Sequence, residues 1–243
     1  MRPLVLALFL LAFPGISAAA PLFVTAPACR DNTLFEDADG DTSNGAGPAM
    51  FAGRNAQERA RRALVEFDLA GVVPAGRHVE DALVILHVSS APDTVARTFR
   101  LHRVLRAWGE GASNSSGGAG APALPGDATW RSAFHPDIAW DAVGGDFVLP
   151  ASGEASCGDV GPCSFSSPGI LEDVRTWLAN PVTNHGWIVL GDETLGRTVR
   201  RFDTRESALP ADRPVLVLSL SEADPDPVPA TVVSWGRLKT SYR

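Results

Sequence analysis

Between Arg62 and Leu69 the side chains alternate, with Ala63, Val65, Phe67 and Leu69 on one side and Arg62, Glu66 and Asp68 on the other. A two-residue period is the signature of a strand with one buried face. The same grammar recurs along the chain as short apolar runs rich in β-branched residues and bounded by Gly or Pro. Trp187–Leu190 and Val215–Leu218 are the clearest, and Ala82–Val88 is apolar enough for the middle of a sheet. Further strands are expected at Asp31–Glu36, Ala49–Gly53, Phe99–Leu105, Ala128–Trp130 and Asp146–Leu149. The 23 glycines and 19 prolines suit many strands joined by turns, and Lys is nearly absent. Only one segment has a helical period. Ser167 is placed to cap it, Pro168 to open it, and Ile170, Val174, Trp177 and Leu178 to form its apolar stripe before Asn180-Pro181 ends it. Trp177 and Trp187 therefore belong in the core. The pattern predicts an all-β chain with a short helix over an end or edge of the sheets.

The N-terminus addresses the chain to export. Arg2 is basic, Leu4–Phe13 is apolar, and Ser17 to Ala20 offer the small residues of a cleavage site, predicting a signal peptide over 1–19. That apolar run is too short for a permanent span, so no transmembrane segment is expected. A net charge of -7 disfavours nucleic acid and anionic membranes, which need a basic surface. Residues 25–220 form the expected domain, followed by an acidic, proline-rich linker (221–230) and a basic, aromatic tail (231–243) suited to cell-surface attachment. Gly111–Gly120, rich in Gly and Ser, reads as a mobile surface loop.

Cys157 and Cys163 flank a turn-rich loop and fit a local disulfide in an oxidising compartment; Cys29 is left over. The histidines have no metal-ligand spacing, and neither a nucleophile elbow nor a phosphate loop occurs. Asp37, Asp39 and Asp41 place alternating oxygens that suit calcium, or else form a solvated acidic turn. Trp108, Trp130 and Trp140 are candidates for stacking on a sugar or for packing, with Arg103 as a polar neighbour of such a site. The cluster from Arg200 to Ser207 admits two readings. Arginine forks match the carboxylates of an anionic sugar. The favoured alternative is a structural corner, in which Arg201 or Arg205 pairs with Asp68, Asp203 or Glu206.

The order of short motifs adds a resemblance. Asp31-Asn32-Thr33-Leu34, Ser43-Asn44-Gly45-Ala46-Gly47, Phe67-Asp68-Leu69 and Trp108-Gly109-Glu110-Gly111 come first. Asp127-Ala128-Thr129-Trp130, Asn184-His185-Gly186-Trp187 and Arg201-Phe202-Asp203-Thr204-Arg205-Glu206-Ser207 follow. Together they resemble the DNRLRE-domain family of secreted bacterial proteins, related to carbohydrate-binding module family 96. Thr204 stands where that family usually has Ser. The resemblance implies a jelly-roll-like antiparallel β-sandwich that is secreted, extracellular or at the cell surface, with a polysaccharide, in some relatives uronate-containing, as partner; it does not imply catalysis, and the chain is read as a non-catalytic module. It does not extend to Ser221–Arg243. A structural or adhesive protein without a glycan ligand, and a polysaccharide lyase or hydrolase component, are the alternatives.

Overall fold

The computed structural model describes residues 21–222; the expected signal peptide, the tail and all but the first two residues of the expected linker lie outside the described residues. Most of the expected strands are there, several of them longer than their apolar runs. They begin with β1 (Leu22–Phe35), β2 (Thr42–Ser43), β3 (Ala49–Arg54), β4 (Ala60–Phe67), β5 (Arg77–Ser90) and β6 (Arg97–Arg103). Short β7 (Ala121–Pro122), β8 (Ser132–Phe134) and β9 (Ile138–Ala139) lie in a long excursion. β10 (Gly153–Cys157), β11 (Gly161–Ser166), α1 (Pro168–Ala179), β12 (Trp187–Leu190), β13 (Arg200–Asp203) and β14 (Val215–Glu222) complete the order.

All pairings are antiparallel. One sheet joins the first half of β1 to β14, β14 to β5, and β5 to both β11 and β13. The other runs from the second half of β1 through β4, β12 and β6 to β10. The fold is thus a jelly-roll-like antiparallel β-sandwich, with two strands closing it like a barrel. Leu22–Pro27 pair with β14, and after a register shift between Ala28 and Arg30 the same strand pairs with β4 out to Phe35. β3 makes the second crossing, pairing with β13 over Ala49–Ala52 and with β4 at Gly53 and Arg54. Strands that change sheets at a bulge or bend are how sandwiches turn corners. Gly53 makes that bend possible: its φ is +112°, and a Cβ there would stand 2.8 Å from the Val199 Cα.

Between the sheets lies the main core. Ala63, Val65, Phe67 and Leu69 all face it, as their alternation predicts, opposite Ala82, Val84, Leu86 and Val88 of β5. Each large aliphatic or aromatic side chain buried there contributes about 1.5–3 kcal/mol. Trp177 and Trp187 meet in the core edge to face with ring centroids 4.4 Å apart. α1 presents Ile170, Val174 and Trp177 to the same core and packs against β5, β10 and β11. Ser167 Oγ accepts the Ile170 N–H at 3.1 Å, a cap that stabilises a helix by about 1 kcal/mol. Cys157 and Cys163 form the expected disulfide, joining β10 to β11.

The structure corrects the reading in four places. β4 is buried on both faces, because the excursion from Val104 to Phe147 folds back over its outer side. Leu34, Leu64 and Ile188 project from that outer face into a second core completed by Val104, Trp108, Ala128, Ala133 and Trp140. Ala128–Trp130 and Asp146–Leu149 are irregular rather than strands, with one isolated bridge between Val104 and Phe147. Gly111–Gly120 is not a free surface loop. Ser113 is buried, its carbonyl accepts the Ala46 N–H at 2.8 Å, and the Ser115 N–H donates to Asn44 Oδ1 at 2.6 Å. Finally, the charged cluster is half strand, since Arg200–Asp203 is β13 and only Thr204–Ser207 turns. Among the described residues no helix is long and apolar enough to cross a membrane.

Candidate functional site

The singled-out motifs meet at one corner. β1 carries three fully buried polar residues in a row, Asp31, Asn32 and Thr33. Buried polar groups need partners, and these find them in loops far away in sequence. Asn32 Oδ1 accepts from Ser43 Oγ and from the Asn44 N–H, both at 3.0 Å, while its amide donates to the Glu110 carbonyl at 2.8 Å. Asp127 accepts the backbone N–H groups of Ser113 and Leu124 at 3.3 and 2.7 Å. Gly45 is obligatory in this packing, because a Cβ there would lie 1.7 Å from the Glu110 carbonyl oxygen.

Arg205 closes the corner. Its guanidinium forms a fork with Glu110 at 2.7 and 2.6 Å and approaches Glu206 Oε1 at 3.0 Å, while its backbone N–H donates to Asp31 Oδ2 at 2.8 Å. Two oxygens remain without hydrogen-bond partners, Asp31 Oδ1 and Glu206 Oε2. Burial pushes the Asp31 carboxyl well above the usual carboxylate range, only partly opposed by the Arg205 N–H. Burial raises Glu206 too, against the pull of Arg205. The Glu110 fork holds the Arg205 guanidinium above the ordinary arginine range.

The expected corner pairing is therefore partly different. Arg205 does pair with Glu206, but its main partner, Glu110, and its neighbour Asp31 come from 95 and 174 residues away. Arg201 lies 3.9 Å from Asp203, whose carboxylate faces His87 Nδ1 at 2.9 Å. Asp68 is not in the corner: it is exposed and accepts the Ala70 N–H at the start of the next turn. Sequence reasoning missed Arg200, whose side chain is fully buried. It donates to the Gly158 carbonyl at 2.8 Å, the Val95 carbonyl at 2.7 Å and the Asp93 carboxylate at 3.0 Å. The available signal was its place in a strand beside Phe202, where Arg200 and Phe202 share the inward face.

The tryptophans do not form a sugar platform. Trp108 is 0% and Trp140 6% exposed in the second core, donating to the His185 and Thr129 carbonyls at 2.9 and 2.8 Å. Trp130 is half-buried, and the Arg62 guanidinium sits 4.8 Å above its ring. Arg103 is half-exposed and faces Asp173 at 3.5 Å. Nor do Asp37, Asp39 and Asp41 gather around one point. Asp37 accepts the Gly40 N–H, Asp39 and Asp41 are exposed, and Asp41 lies 3.7 Å from His135. Among the described residues two other groups bring three possible ligands within 4.8 Å of one another: His87 with Asp203 and Asp212, and Asp31 with Glu110 and Glu206.

Beside the C-terminal half of α1 the surface opens. A groove of about 610 Å³ is lined by Val73–Glu80 and by Arg175, Leu178 and Ala179. A second hollow of about 270 Å³ shares Val73 and Leu178 with it and continues past Trp177 to Asp68, Pro181 and Asn184. Arg77 and Arg175 bring two guanidinium groups to the larger part, which Glu80 also lines. Arg175 is anchored by its Nε and one terminal nitrogen on the Val79 carbonyl, at 3.1 and 2.6 Å. The indole N–H of buried Trp177 has no hydrogen-bond partner, unlike that of Trp187, which donates to Asp173.

Cys29 is a free thiol at the β1 crossing, 3.4 Å from the Glu66 carbonyl. Burial, with the Glu66 carboxylate beside it, pushes the thiol from 9.0 up to about 11. The sign follows from linkage: below 9.0 the thiol is neutral folded or unfolded, and between 9.0 and about 11 only the unfolded chain ionises. Stability attributable to this group is thus lost as pH rises through that window. At about pH 8, iodoacetamide should modify the native protein at least about tenfold more slowly than the urea-unfolded chain, because the thiolate is the nucleophile. Equal rates would show an unperturbed thiol.

No protein-family model matches this chain, and no curated protein matches it significantly.

Proposed function

We propose that this chain is an exported, non-catalytic module of the DNRLRE type that binds an acidic, uronate-containing polysaccharide outside the cell. The observation carrying this reading is the groove beside α1, where two arginines, Arg77 and Arg175, line the same hollow as the apolar Val73 and Leu178, with Glu80 as its one carboxylate. Sugar rings offer apolar C–H faces to such a floor, and a uronate adds a carboxylate that an arginine fork matches in shape and charge. In a protein of net charge -7 a local cationic groove selects one bound anion without attracting polyanions to the whole surface.

The test is affinity electrophoresis of the protein in gels containing alginate, a neutral glucan or no polymer. Retardation is expected in alginate alone. Arg175→Ala should weaken it about tenfold or more, as expected for the loss of one charge-assisted hydrogen bond, with the melting temperature confirming the fold. Retention unaffected by Arg175→Ala would place the site elsewhere. Release of unsaturated or reducing ends would make the protein a lyase or hydrolase. Failure to bind across a broad glycan panel would leave the structural or adhesive reading.

A further inference from the structure

The closing corner of the sandwich holds more negative charge than its arginine can balance. Asp31, Glu110 and Glu206 surround a single guanidinium, that of Arg205, so the fully ionised cluster carries an excess of two negative charges. Carboxylate oxygens of the three residues lie within 4.8 Å of one another. A crowded cluster of this kind is not a site by itself, because surface carboxylates repel without harm in water. This one reaches from the surface into the interior. Asp31 is fully buried, its Oδ1 has no hydrogen-bond partner, and Glu206 Oε2 is equally without one. An oxygen buried without a partner costs about 1–3 kcal/mol, more when charged, unless something occupies its lone pairs.

We propose that Asp31, Glu110 and Glu206 bind one calcium ion. The donors are all oxygen, which selects a hard cation and disfavours zinc or copper. Calcium takes oxygens at about 2.3–2.6 Å, so oxygens on opposite sides of one ion lie nearly 5 Å apart, and the observed spacing fits within that limit. Magnesium demands a near-ideal octahedron and gives up its waters reluctantly, so it is held through few carboxylates and several waters, whereas three protein carboxylates on one ion suit calcium. Two positive charges also match the local excess of two. Arg205 remains in place as a neighbour that orients Glu110, and Glu206, the more exposed carboxylate, provides the route from solvent. The ion would tie β1 to the excursion carrying Glu110 and to the turn after β13, three segments with no sequence proximity. This proposal is independent of the polysaccharide reading.

The experiment uses the full exported chain, stripped with chelator, and reads both its melting temperature and calorimetric titration with calcium chloride. One calcium per chain and a rise in melting temperature are expected. Glu206→Gln, which keeps size and hydrogen-bonding capacity, should weaken calcium at least about tenfold while leaving the chelated protein folded. If Asp31→Asn fails to fold, Glu206→Gln alone decides. Asp37→Asn with Asp41→Asn serves as control and should leave the titration unchanged. Three results overturn the proposal: no calcium uptake by the unaltered protein, uptake indifferent to Glu206→Gln, or uptake abolished by the Asp37/Asp41 pair instead. Magnesium binding as tight as calcium would overturn the choice of ion.

Discussion

Trp108→Ala is expected to lower the unfolding free energy by about 3–5 kcal/mol, the range for deleting a large aromatic side chain from a packed core. Trp108 is fully buried between the outer face of the second sheet and the excursion that covers it, among Leu34, Leu64 and Ile188. Its indole N–H satisfies the His185 carbonyl, which a truncation would leave without that donor. Trp108→Phe keeps most of the volume but not the donor, so its cost should fall between that of Ala and zero. Urea unfolding of the three proteins measures this. At temperatures where all remain folded, their retardation in alginate gels should be the same. A variant that loses retention while keeping its stability would return Trp108 to the ligand-contacting role that its position in the sequence first suggests.

Arg200→Met is the second large effect, about 1–3 kcal/mol, because it deletes a fully buried guanidinium and leaves the Gly158 and Val95 carbonyls without their donor. The guanidinium fans out to two loops that meet above β13. It reaches the Gly158 carbonyl on one side, and the Val95 carbonyl and the Asp93 carboxylate on the other. Arg200→Lys should recover little, since an ammonium cannot reproduce a planar fork directed at several acceptors. Its neighbour Arg201 provides the contrast. That side chain is half-exposed and 3.9 Å from Asp203, so Arg201→Ala should cost no more than about 1 kcal/mol. Thermal or urea unfolding of the pair gives the comparison, and a larger loss at Arg201 than at Arg200 would refute this account of the corner.

The two arginines show where sequence reading succeeds and where it stops. Both stand in a run recognisable as unusual, yet the alternation of β13 alone decides that Arg200 and Phe202 point inward while Arg201 points out. The same local rule placed Ala63, Val65, Phe67 and Leu69 in the core correctly, and it placed the stripe and cap of α1 within a residue. It misjudged the other face of β4, because nothing within eight residues of Leu64 announces that an excursion forty residues later will cover it. The tryptophans were left between two roles for the same reason. A flat aromatic ring in a loop is equally suited to a sugar or to the underside of that loop, and only the covering decides.

From the sequence alone came the features with a period or a cap: the strands, their core-facing residues, the single helix, and the disulfide whose cysteines lie six residues apart. These depend on neighbours within a few positions, and short-range sterics and patterning specify them. The tertiary structure alone decided which charges meet. Asp31, Glu110 and Arg205–Glu206 lie in three segments, and their chemistry exists only where β1 changes sheets and two loops fold against it. The groove beside α1 has the same character, since Arg77 and Arg175 share it only because the helix packs against β5. Burial turns these ordinary residues into candidate sites, because removing water strengthens each charge's demand for a partner. That demand is set by the protein around the residue, not by the residues beside it in the chain.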